Sequence, residues 1–192
     1  MIVRPEKGRG PLRGAGTFGL ALFLASLTML FGASLIAYAV VRVQAPHWPP
    51  PGAPSLPPLL WAATAALLAG SGTMAGALAA VRRGMIGALK GTLIATLALA
   101  FLYLAIQALA WRQLVAAQAP PASSMFAFTF YMLTGLHAAH VIGGVVPLAV
   151  VTVRALLGQY SWAHHPGVRL VAIYWHFLDV VWLVIFGVLA FV

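Results

Sequence analysis

The sequence predicts an all-α membrane protein, a bundle of five transmembrane helices. Three observations carry this prediction. The chain of 192 residues is 62% hydrophobic and only 7% charged, more apolar surface than a water-soluble domain can hide. Its apolar residues come in long unbroken runs, not in the ~10-residue alternating segments of a transmembrane barrel. Proline-rich or polar stretches divide those runs into five. There is no cysteine, which excludes a disulfide framework, a thiolate nucleophile and a cysteine metal site.

The first span is residues 17–41. It contains Ala37-Tyr38-Ala39, a pattern like a signal-peptide cleavage site. The apolar run before it exceeds the ~7–15 residues of a signal core, so the span is read as a retained helix. "APHWPPPGAPSLPP" (residues 45–58) follows and cannot be helical, because proline lacks the amide donor and restricts its predecessor. The second span, 59–81, ends at "RRGMIGALK" (82–90), read as a short polar connection before the third span, 91–110. "AQAPPASS" (117–124) stops that helix with two prolines and offers serine N-caps to the fourth, 125–153. "GQYSWAHHPG" (158–167) leads to the fifth, 170–192. Each span reaches the ~20 residues that cross a ~30 Å hydrocarbon core. Each must be helical, because backbone groups in lipid have to be bonded internally. Trp48, Trp61, Trp111 and Trp162 fall near span ends, where interfacial anchors belong.

The net charge of +9 reads as topology, not as nucleic-acid binding. Arg4, Lys7, Arg9 and Arg13 lie in a basic tail (1–16); Arg82, Arg83 and Lys90 follow the second span; Arg154 and Arg169 flank the fourth connection. Only Arg42 and Arg112 fall on the other side. The positive-inside rule then places the N-terminus in the cytoplasm and the C-terminus outside, as an odd number of spans requires.

Asp179 is one of two acidic residues, and it sits inside the fifth span in "YWHFLDVVW" (174–182). A carboxylate at mid-span costs ~2.5–3.5 kcal/mol on insertion scales and needs a partner or water. His176 lies one turn away on the same face. His137 and His140 share a face of the fourth span, and at ~1.5 Å per residue His140 lies ~21 Å and Asp179 ~15 Å from their flanking arginines. An interhelical polar cluster of His137, His140, His176 and Asp179 is therefore expected. It serves as a clasp of helix five on helix four, as haem or metal ligands, or as a proton relay. Nothing in the pattern supports nucleophilic catalysis, and no catalytic residue is assigned. Small residues make two further candidate seams, Gly135/Ala139/Gly143 and Gly72/Gly76. Pro147 should bend the fourth helix. His164 and His165 in the last connection are a weaker metal candidate.

"FYMLTGLHAAHVIGG" (130–144), "HHPG" (164–167) and "YWHFLDVVW" closely resemble subunit III of haem–copper oxidases, of the cytochrome c oxidase and quinol oxidase type. "HWPPPG" (47–52) is similar to that family's outer loop, and "LALFLASLTMLFGASLIAYAVVR" and "FLYLAIQALAW" to its third and fifth helices. The likeness runs from about residue 17 to the end. It implies a five-helix form, without the two helices that open the seven-helix versions.

The resemblance also implies a non-catalytic structural subunit of a respiratory terminal oxidase in a bacterial inner membrane, packed beside subunits I and II. Haem and copper are expected in those partners and no metal in this chain. Bound phospholipid is expected, with Arg154 on a lipid headgroup, together with support of proton uptake and turnover stability. A quinol oxidase or nitric oxide reductase partner, a haem-binding electron carrier and a proton-coupled transporter stand as alternatives. Departures from the family pattern are clear. Ser26 is followed by Leu27 where the family has glutamate, Gln107-Ala108 leads to Ala110 and Trp111 instead of a second glutamate, and Arg169 stands at or beside a third. Proton roles proposed for those glutamates therefore cannot apply here.

Overall fold

In the computed structural model, which describes residues 15–191, the chain forms five helices: α1 (Ala15–Gln44), α2 (Leu59–Arg82), α3 (Ile86–Ala116), α4 (Met125–Leu156) and α5 (Pro166–Phe191). All five are long and apolar enough to cross a membrane. Most of the basic tail, including its four cations, and Val192 lie outside the described residues.

Helices α2 to α5 pack in a ring, each against its chain neighbour and α2 against α5. α1 rests outside that ring on α4 and α5 and does not touch α2 or α3. Its Ser26, Thr28 and Ser34 hydroxyls donate to carbonyls one turn back, which satisfies them within their own helix on a lipid-facing segment. The core is apolar and aromatic, with Trp175, Trp182, Tyr103 and Phe130 fully buried.

The helix ends differ from the sequence expectation where charge was read as connection. The stretch 82–90 is a turn of only three residues between α2 and α3, and Lys90 is helical. α3 also continues past Arg112 to Ala116. Long cationic side chains can carry their charge to the interface while their stems stay apolar, so they need not end a helix. The chain stops helices by turn chemistry instead. After α2, Gly84 has φ +70°, its amide donates to the Val81 carbonyl and that of Met85 to Ala80, the paired bonds of a Schellman motif. Gly158 (φ +72°) repeats the device after α4, and Gln118 (φ +61°) does so after α3 without glycine's freedom. The Ser124 side chain caps α4 by accepting from the Ala127 amide at 3.1 Å.

Close approach uses different glycines from those the sequence singles out. Gly72, Gly135 and Gly143 have no atom within 4 Å of where a Cβ would lie. Gly76 does meet α3, at the Thr92 methyl. The tight α4–α5 contact is at Gly144, where a Cβ would lie 2.7 Å from Cε1 of Tyr174. One residue of offset turns a helix position by 100°, which moves the contact off the Gly135/Ala139/Gly143 stripe. The proline-rich connection is pinned by Trp48, edge-on to Tyr38 of α1 and Phe126 of α4.

Candidate functional site

The four polar residues expected to cluster do not form one group. The structure divides them into three places.

The first lies between α5 and α2. His176 Nδ1 is 3.7 Å from Asp179 Oδ2 and 2.7 Å from the Ser71 Oγ of α2. Ser71 also faces the carboxylate. Asp179 is buried, and neither of its oxygens has a hydrogen-bond partner among the described residues. The expected bond from Asp179 to a histidine of helix four is absent, and the clasp runs from helix five to helix two. Lower down the same seam, the Trp182 indole N–H donates to the Thr64 hydroxyl of α2 at 2.9 Å. Ser, His and Asp here do not make a nucleophilic relay. Serine and carboxylate both approach Nδ1, whereas a relay needs them on opposite ring nitrogens.

The second place is the interior of the ring. His137 is fully buried and held by rings, with centroids 5.0 Å from Trp182, 5.9 Å from Tyr103 and 6.4 Å from Phe31. Neither of its nitrogens has a hydrogen-bond partner among the described residues, and the same holds for the Tyr103 hydroxyl and the Gln107 amide. Among the described residues, no three His or acidic side chains are grouped to hold a metal ion.

The third place is the outer side of α4, under α1. His140 Nδ1 is bonded to the Leu136 carbonyl of its own helix at 2.7 Å, and its ring packs on Phe31. It lines an apolar cavity of about 310 Å³ with Leu20, Phe23, Gly143, Pro147 and Tyr174. Here α4 and α5 are joined by an interaction the sequence did not suggest, with Tyr174 donating to the His140 carbonyl at 2.9 Å.

Arg154 sits in the last turn of α4, exposed, and lines an open groove of about 510 Å³ with Val150, Val153, Leu157 and Gln159. His165 Nδ1 is bonded to the Ser161 carbonyl, and His164 pairs by its backbone with Ser161, so the last connection is a closed turn. Sequence reasoning missed Ser71, Thr64 and Tyr174. A hydroxyl near the middle of α2 was the available signal for Ser71.

The family model for cytochrome c oxidase subunit III matches residues 12–191. Cytochrome c oxidase subunit 3 of Synechocystis sp. is 35% identical over 171 residues, 88% of this chain and 72% of that protein. A Nocardia farcinica protein described as a probable cytochrome c oxidase subunit 3 is 31% identical, over 91% of this chain and 86% of its own length. A Mycobacterium bovis protein described in the same words is 32% identical, with the same two coverages.

Proposed function

Because the chain belongs to the cytochrome c oxidase subunit III family, we propose that it serves as the non-catalytic membrane subunit of a respiratory haem–copper oxidase. It is an integral membrane protein, and relatives from bacteria support a bacterial plasma-membrane setting. The observation that carries this reading is the match across 12–191, joined to a five-helix bundle whose interior is filled by apolar and aromatic packing.

Several features support the finer reading. Three polar interactions run between helices, His176 with Ser71, Trp182 with Thr64 and Tyr174 with His140, and they stiffen a ring of helices. A stiff bundle is what a scaffold offers to subunits I and II, where haem and copper would reside. Support of proton uptake then acts through the shape of the partner and not through a carboxylate chain of this one. The Arg154 groove suits a phospholipid. Its guanidinium stands at the helix end, where a headgroup phosphate would meet it bidentately, and Val150, Val153 and Leu157 offer the acyl chains an apolar wall. The unequal distribution of cations supports a cytoplasmic N-terminus.

Purification of the tagged full chain from its own membranes tests the reading. Haem-bearing and copper-bearing subunits should co-purify, with an oxidase redox spectrum that does not belong to this polypeptide. A Soret band retained by the isolated chain would overturn it, and donor specificity of the purified complex separates a cytochrome c from a quinol oxidase. In the same preparation, Arg154→Gln should lower co-purified anionic phospholipid several-fold with the subunit composition unchanged.

A further inference from the structure

His176 lies ten residues beyond Pro166, ~15 Å along α5, at a depth where hydrocarbon offers neither donor nor acceptor. Its side chain is 41% exposed, while Asp179 beside it is 6% exposed. Nδ1 is hydrogen-bonded to the Ser71 hydroxyl and lies 3.7 Å from Asp179 Oδ2. Nε2 has no hydrogen-bond partner among the described residues. The other interior polar groups are placed differently. Hydroxyls facing outward on α1 bond to their own backbone, His137 is enclosed by rings, and His140 lies in the chain's own cavity under α1. His176 opens on the seam of α2 and α5, and α1 does not reach α2 to cover that side. Around it Leu68 of α2 and Val180 and Leu183 of α5 are exposed, and Gly72 has open space where a Cβ would lie.

We infer that the α2–α5 face centred on His176 is the surface by which this chain docks on its partner membrane subunit. The partner's facing helix presents a hydrogen-bonding side chain, a hydroxyl, amide or carboxylate, to His176 at mid-depth. The inference rests on the reading of the chain as an oxidase subunit and specifies which side of it makes contact. An acyl chain cannot satisfy an imidazole nitrogen, and an ionisable pair facing lipid at mid-span is costly, so protein is the fitting occupant. Gly72 lets that helix come close. The buried carboxylate lies beside the device, 3.7 Å from Nδ1, while the Ser71 hydroxyl holds that nitrogen and leaves Nε2 free on a side chain that is 41% exposed.

The chain has no cysteine, so single cysteines report one face at a time. Gly72→Cys and Val180→Cys, with Ile36→Cys of α1 and Val146→Cys of α4 as exposed controls, are labelled with a benzophenone maleimide in native membranes and irradiated. Positions 72 and 180 should cross-link to the haem-bearing subunit at least fivefold more than 36 and 146. His176→Leu should lower co-purified oxidase at least threefold at an unchanged amount of the chain in the membrane, and His176→Asn should keep most of it. If the haem-bearing subunit is captured from 36 or 146 and not from 72 or 180, the docking face is wrong while the oxidase reading stands. Capture of only a second copy from 72 and 180, or normal co-purification of His176→Leu, also overturns the inference. Absence of any oxidase subunit from the purified chain overturns the functional reading itself.

Discussion

His137 and His176 are both imidazoles inside apolar helices, and they are handled in opposite ways. His137 is sealed among Trp182, Tyr103 and Phe31 and has no hydrogen-bond partner among the described residues. His176 is half-exposed, tied to Ser71 and set beside the only carboxylate of the described residues. One acts as a flat, ring-like packing element, in which the shape of imidazole counts more than its nitrogens. The other keeps its polarity at the edge of the bundle. A polar residue within a span therefore does not by itself name a site. Its enclosure decides whether it fills the fold or faces something outside it.

The strongest way to break this contrast is truncation of the sealed ring. His137→Ala should cost about 3 kcal/mol, because three aromatic neighbours lose a contact surface and a cavity opens. Thermal unfolding of the isolated chain in detergent reads this directly. His176→Ala should cost the isolated chain well under 1 kcal/mol, as a partly exposed side chain leaves no cavity and loses one interhelical bond. Equal losses at the two positions would remove the distinction. The next effect is at the α4–α5 seam. Gly144→Ala places a methyl 2.7 Å from the Tyr174 ring, so the ring must move and its bond to the His140 carbonyl is lost. An overpacking cost of about 1–3 kcal/mol is expected, with no comparable change for Gly143→Ala, whose Cβ meets open space.

That pair of glycines also shows how much was legible in the sequence. The five spans were readable because crossing hydrocarbon demands a long apolar run, and such runs have few other uses. The exceptional polar residues were readable for the same reason, since each stands out against 62% apolar composition. Their depth followed from a fixed rise per residue. Their partners did not follow, because depth leaves rotation about the helix axis undetermined. Asp179 and His140 are at similar depth, yet one turns toward α2 and the other toward α1. The same missing rotation put the small-residue seam on Gly143 when it belongs on Gly144. Ser71 was hidden for a different reason. A serine in an alanine- and glycine-rich helix bonds its own backbone as readily as a neighbour, as Ser26 and Ser34 do, and only the position of His176 decides which.

The smallest effect sharpens the contrast most. Ser71→Ala removes one hydroxyl from His176, and an interhelical hydrogen bond in a membrane bundle is worth about 0.6 kcal/mol on average. Thr64→Val removes the acceptor of the Trp182 indole N–H, which is buried and has nowhere else to turn, so about 1–3 kcal/mol should be lost. Both substitutions delete one oxygen from the same α2–α5 seam. The ratio of their unfolding shifts in detergent therefore measures enclosure with the chemistry held nearly constant. At the exposed edge, a freed imidazole nitrogen can find water in a micelle, and the loss stays small. In the assembled complex that water is excluded, so the Ser71→Ala effect should grow while the Thr64→Val effect stays where it was. A Ser71→Ala effect that is the same size in both settings would mean that the polar edge faces no partner.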